Sequence, residues 1–155
     1  MFDWWRRLSR ADAIAGSFPA QFRDLILRRV PCAKLLTREE LSKLEALVRI
    51  FNSEKTFEAA AGFTLTEEMR VVIAARACLL VVNRIELDSP LYPDLLTVVV
   101  YPSSYRVPGQ RRDGYVTIEG DEVRLGESWS QGLVVLSWDA VMSGSASLSD
   151  GHDVV

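Results

Sequence analysis

The sequence predicts an α+β domain in which N-terminal helices precede a mainly antiparallel sheet. Three observations carry that expectation. Residues 37–51 combine a capping box with apolar positions at helical spacing. Residues 66–84 are apolar on nearly every face, the pattern of a central buried helix. Beyond residue 96 the runs become short, β-branched or aromatic, and bounded by Pro, Gly and Asp. Helices followed by strands, without strict alternation, point to α+β and away from a doubly wound sheet.

The elements follow in order. "MFDWWRRLSR" is aromatic and basic, but three arginines over one or two turns make a weak membrane anchor. Its tryptophans are expected to tuck against the domain. Residues 18–30, with Phe22, Leu25, Ile26 and Leu27 apolar, read as a short helix stopped by Pro31. Thr37 and Glu40 then form the capping box, and Leu41, Leu44, Leu47, Val48 and Phe51 follow on one stripe. Lys43, Glu45 and Arg49 are expected on the polar face of that helix. The next helix starts at Thr66 as N-cap, with Glu67 and Glu68 in its positive first turn, and runs to about Arg84. Arg70 and Arg76 are expected at its one wet edge.

Four strands are expected after that: residues 97–101, 115–118, 122–125 and 133–138, the middle two joined as a hairpin through the turn at 119–122. At the far end, residues 143–149 form a Gly/Ser loop into a new helix. Ser149 and Asp150 serve as its N-cap and first turn, and the chain stops after one turn of it.

At 155 residues, 48% apolar and 25% charged, the chain suits one domain with a substantial core. A net charge of −3 gives no electrostatic reason to expect nucleic acid or an anionic membrane as partner. Residues 113–153 hold eight acids against Arg124 alone, which reads as a solvated acidic surface. Two cysteines are too few for a disulfide scaffold, so a reduced, cytoplasmic protein is expected. Cys78 reads as a small buried hydrophobe. No apolar stretch reaches the length of a membrane span, because Arg76 and Arg84 bracket the longest.

Reactive groups are few. His152 is the single histidine, and a catalytic zinc needs three protein ligands and an open position. "GESWSQG" lacks the order and the Lys-Ser/Thr of a phosphate loop. Ser137 and Ser143 lack a nucleophile-elbow context. From composition and spacing alone, no active site emerges.

Three segments in order, "LYPDLLTVVVYPSSY", "GESWSQGLVVLSWDAV" and "DGHDVV", resemble the Mlc titration factor A family of zinc metallopeptidases, as does the helix "LTEEMRVVIAARACLLVV". The resemblance spans residues 36–155. It implies a zincin-like domain of which these residues are the N-terminal portion. In that family the stretch matching residues 151–155 leads into a helix bearing H-E-x-x-H, whose two imidazoles bind zinc while the glutamate activates water. None of the 155 residues matches those ligands, and His152 precedes Asp153-Val154-Val155 without being one of them. The resemblance thus implies peptide substrates and zinc for the intact family, aminopeptidase-like hydrolysis, and no catalysis or metal binding by this chain alone. Its alternatives are a non-catalytic module that binds a repressor of the glucose phosphotransferase system, or an inert remnant.

Zincin-type peptidases hold the substrate backbone as an added strand. Gly132, Val134, Val135, Leu136, Ser137 and Trp138 are the candidates to line that strand, with an ordinary core strand as the competing reading. Tyr101, Pro102 and Tyr105 are similarly either a cleft wall or aromatic packing.

Overall fold

The Thr37 hydroxyl accepts a hydrogen bond from the Glu40 amide, and the Glu40 carboxylate accepts one from the Thr37 amide at 2.8 Å, closing the capping box at sequence-predicted positions. From that start the longest helix of the computed structural model runs over Arg38–Glu54. The structure describes residues 9–60, 62–103, 126–129 (backbone only) and 132–144. Its elements are α1 (Arg10–Ala15), α2 (Ala20–Arg29), a 3-10 turn (Pro31–Leu35), α3 (Arg38–Glu54), β1 (Thr56–Ala59), α4 (Glu67–Leu79), β2 (Thr97–Tyr101), β3 (Gly126–Trp129), β4 (Leu133–Ser137) and α5 (Trp138–Gly144).

The expected helices are present with shifted ends. α2 occupies the middle of 18–30, and Pro31 opens the 3-10 turn as it removes the amide α2 would need to continue. α4 is capped by Thr66, whose hydroxyl accepts from the Met69 amide, and it ends at Leu79, several residues before the expected Arg84. α1 was not expected. It carries a capping box of its own, Ser9 with Asp12.

α3 and α4 pack together through Leu44, Leu47, Val48, Phe51, Val71, Ile73 and Ala74, all at most 1% exposed. Burying one such aliphatic or aromatic side chain contributes roughly 1.5–3 kcal/mol, so this contact dominates the helical layer.

Two expectations about charge fail here. Glu45 and Arg49, expected on a wet face, are 7% and 3% exposed. Arg23 forks onto Glu45 with both a short contact and one of 3.0 Å, while Arg49 donates to the carbonyls of Ser17 (2.7 Å) and Asp12 (3.2 Å), tying α1 to α3. Arg70 and Arg76 are likewise buried, at 8% and 3% exposed. Arg70 lies over the Phe57 ring at 5.0 Å, and Arg76 donates to the Val141 carbonyl in α5. Long side chains can bury a cation when carbonyls or an aromatic face receive it.

The sheet departs from the antiparallel expectation. Its order is β1-β2-β4-β3, and β1, β2 and β4 run parallel, with only β3 antiparallel to β4. β1 is the source of the difference. "TFEA" is short, and it turns what looked like helix-then-helix into a strand–helix–strand crossover through α4, which brings β2 back parallel. Register pairs Phe57 with Val98 and Val98 with Val134, and the next row on that face joins Val100 to Leu136. These residues face the helices and belong to or pack against the core. The expected strands 115–118 and 122–125, their hairpin, and the helix begun at Ser149 and Asp150 lie outside the described residues.

A buried polar knot fixes the segment between α4 and β2. Lys55 donates from Nζ to the Tyr92 carbonyl at 2.8 Å, and the Tyr92 hydroxyl donates to the Ala77 carbonyl at 2.7 Å. Tyr92 holds φ 47°, rare for a residue with a Cβ, and stacks edge-on against Phe51. Burial pushes the Lys55 ammonium below its ordinary range and the Tyr92 phenol above its own.

Candidate functional site

β4 and the turn into it hold the six residues singled out from the sequence. Gly132 ends the connection from β3 with φ 74°, and its carbonyl accepts from the amides of Leu96 (2.7 Å) and Thr97 (3.0 Å). A Cβ at Gly132 would stand 2.7 Å from the Asp94 carbonyl oxygen, so both the dihedral and the space require glycine. Its role on this evidence is to seat the loop before β2. Val134 is half-buried against the core, and Val135 and Leu136 are buried. Ser137 is fully buried, and its hydroxyl is 3.5 Å from the Ala140 amide, an N-cap arrangement for α5. Trp138 was expected in the strand; it is the first residue of α5, packed partly buried against the core.

The sheet order sets β4 between two other strands. β4 pairs with β2 on one side and with β3 on the other. Both rows of its backbone groups are engaged by those two strands. The free edge on that side, among the described residues, belongs to β3. β3 aligns antiparallel to β4 with Gly126 opposite Leu136, Glu127 opposite Val135, Ser128 opposite Val134 and Trp129 opposite Leu133.

β3 was missed in the sequence because "GESW" has no β-branched run and lies beside glycines. Its legible signal was the short connection with Gly132 before "LVVLS", the spacing of a hairpin. Tyr101 ends β2 half-buried and Pro102 is exposed beyond it, whereas Tyr105 lies outside the described residues.

The described residues do not fit a catalytic metal. No group of three or more His, Cys, Asp or Glu converges among them. Cys78 is fully buried in the apolar face of α4, and burial pushes its thiol far up, away from the thiolate a metal needs. Cys32 is exposed on the 3-10 turn and belongs to no such group. Among the described residues, Asp139, exposed on α5, is the carboxylate at the β4–α5 junction. His152 lies outside the described residues. Among those residues, no helix is long and apolar enough to cross a membrane.

Comparison with known proteins decides the family. The pattern of the family described as Glucose-regulated metallo-peptidase M90 matches residues 2–155. The chain belongs to this family. An uncharacterized protein of Synechocystis is 38% identical over 139 residues, covering 88% of this M90 chain and 50% of its own length. Proteins named Mlc titration factor A from Shigella flexneri and Escherichia coli are 32% identical over 110 residues, covering 70% of this chain and 40% of theirs. The chain therefore spans half or less of the length of these relatives. No solved structure matches. The M90 match takes in every described element, α1 through α5, so the β1-β2-β4-β3 sheet and its helical layer are this chain's share of a metallopeptidase family.

Proposed function

We propose that these residues form the N-terminal, substrate-side part of a zinc-dependent peptidase domain and are inactive on their own. The observation that carries the reading is the M90 match over residues 2–155, set beside a described structure whose side chains do not fit a metal. The chain's own contribution is positional. β3 offers an open backbone edge to an extended peptide, which gains main-chain hydrogen bonds of the kind seen when a strand is added to a sheet. β4, bonded on both sides and anchored to the core through Val135 and Leu136, holds β3 in place. Ser137 and the buried Arg76 hold α5 at the end of β4, and so set the direction in which the chain leaves the sheet. The zinc ligands and catalytic base of the intact family would come from residues other than those described.

The reading extends to a zincin-like domain, to cleavage from a free amino terminus, and to a cytoplasmic location. Two cysteines unpaired in the structure, Cys32 and Cys78, support the reducing compartment. The test compares the 155-residue chain with a full-length relative of the family, assaying zinc by elemental analysis and hydrolysis of free and N-acetylated peptides. The expected outcome is no stoichiometric zinc and no hydrolysis for the 155 residues. The full-length relative should bind one zinc and show chelator-sensitive cleavage that prefers the free amino terminus. One equivalent of zinc on the 155-residue chain, with chelator-sensitive activity, overturns the proposal.

A second reading, a module that binds a transcriptional repressor of sugar uptake, is favoured by the name Mlc titration factor A carried by several relatives. Purified repressor failing to co-elute with the chain would remove it.

A further inference from the structure

Residues 92–96, the last stretch before β2, are gripped from two sides. Lys55, the C-cap of α3, donates from Nζ to the Tyr92 carbonyl at 2.8 Å. The next residue, Thr56 at the start of β1, donates its amide to the Leu96 carbonyl at 2.9 Å. From the other side, the Gly132 carbonyl accepts from the Leu96 and Thr97 amides at 2.7 and 3.0 Å. Gly132 leads directly into Leu133, which stands opposite Trp129 of β3. Whatever fixes the course of residues 92–96 therefore fixes the seat of Gly132, and with it the end of the β3–β4 pairing.

Stability alone does not call for a lysine here. Lys55 is 8% exposed, burial pushes its ammonium below the ordinary range, and it enters no ion pair among the described residues. The Tyr92 carbonyl also accepts from the Leu95 amide at 3.0 Å, so it would stay satisfied without Lys55. Methionine would fill much the same volume, and exchanging a buried charge for an apolar side chain is often neutral or stabilising. Tyr92 adds a second cost, its φ of 47°. Such a dihedral persists only where the surroundings over-determine it. Here the hydroxyl is held by the Ala77 carbonyl at 2.7 Å, the ring by Phe51, and the carbonyl by Lys55. A buried cation and a strained backbone meet at one contact, the arrangement expected where one packing is selected over others at some cost in stability.

We infer that Lys55 is a positioning residue for the β3 edge: by holding the Tyr92 carbonyl it selects the packing of residues 92–96 on which Gly132 is seated. The inference rests on the reading of β3 as the edge that receives an extended peptide. Lys55 does not touch that peptide. It acts through Tyr92, then through the Leu96 and Thr97 amides, and then through Gly132 and Leu133 to the end of β3. Without the ammonium, Tyr92 is free to relax to a negative φ, and the Leu96 and Thr97 amides lose their alignment with the Gly132 carbonyl.

The test uses the 155-residue chain, with amide exchange read residue by residue by NMR and an extended peptide of alternating valine and lysine as the probe ligand. Lys55→Met is expected to leave the thermal midpoint unchanged or higher. It should speed exchange of the Leu96 and Thr97 amides about tenfold, the worth of about one hydrogen bond, and weaken peptide binding by a similar factor. Lys55→Gln, which keeps a donor without the charge, should restore most of both. Tyr92→Phe loosens the same residue from its other side and should speed the same two amides. Loss of the fold in Lys55→Met, or a lower midpoint with exchange raised evenly over all elements, assigns Lys55 to general stability and overturns the inference. Unchanged Leu96 and Thr97 exchange in both Lys55→Met and Tyr92→Phe overturns it too, as does equal peptide binding by Lys55→Met and the unaltered chain. No binding by the unaltered chain ends the reading of β3 itself, and the inference falls with it; the exchange data, which need no peptide, tell that failure apart from one at the Lys55–Tyr92 contact.

Discussion

Gly132→Ala is the substitution whose cost the structure resolves into separate parts. Gly132 holds φ 74°, and an alanine Cβ there would meet the Asp94 carbonyl oxygen at 2.7 Å and Leu96 Cγ at 3.0 Å. Gly62 holds nearly the same dihedral, φ 73°, with nothing within 4 Å of the corresponding Cβ. Gly62→Ala therefore incurs the dihedral term alone, about 1–2 kcal/mol. Gly132→Ala adds displacement of a backbone carbonyl, about 1–3 kcal/mol. It also disturbs the Leu96 and Thr97 amides that share the Gly132 carbonyl. The expected total is about 2–5 kcal/mol, or a midpoint lower by several degrees in a chain of this size. Urea unfolding followed by circular dichroism measures both variants on one scale. If Gly132→Ala is no more destabilising than Gly62→Ala, the close approach of the Asp94 loop is not a constraint and the reasoning fails.

Glu40 is held below its ordinary carboxylate value, first by the Thr37 amide and then by Asn83. A group depressed in the folded state stabilises above its unfolded value and loses that contribution as pH falls through the folded one. Glu40→Gln should thus lower the thermal midpoint at neutral pH, and the gap to the unaltered protein should close below about pH 4. Arg76→Ala should cost about 3 kcal/mol by urea titration, since it removes a buried donor from the Val141 carbonyl and leaves a cavity. A thiol reagent should modify Cys32 at once and Cys78 only on unfolding, because burial both hides that thiol and pushes it up. Two fast-reacting thiols in the native protein would contradict the placement of α4.

Local chemistry made the helices legible. The capping box at Thr37 and Glu40 and the N-cap at Thr66 act over three residues, so sequence alone specifies them. The sheet was harder because pairing is not local. β1 is four residues with one buried side chain, Phe57, and nothing in "TFEA" announces that β2 will lie beside it. Missing that one strand was enough to predict antiparallel pairing where three strands run parallel. Glu45, Arg49, Arg70 and Arg76 misled for a related reason. Their partners are a distant arginine, backbone carbonyls and an aromatic ring, none of which the helical pattern contains. At the candidate site β4 was legible as a strand, but its place inside the sheet depends on β3, whose sequence carries little strand signal.

The parallel pairing also sets an order of events in time. Thr56 and Thr97 are neighbours in space but about forty residues apart along the chain, and Thr97 and Leu133 are nearly as distant. Helices α1–α4 can form and collapse early, while each parallel strand pairing must first close a long loop. During synthesis at about 5–20 residues per second, β1 emerges several seconds before β4 can complete the sheet on β2. Once β2 has emerged, its valines have β1 on one edge and lack β4 on the other until that strand follows. The nascent chain is then most open to association with other chains, and a ribosome-associated chaperone would find its longest window there.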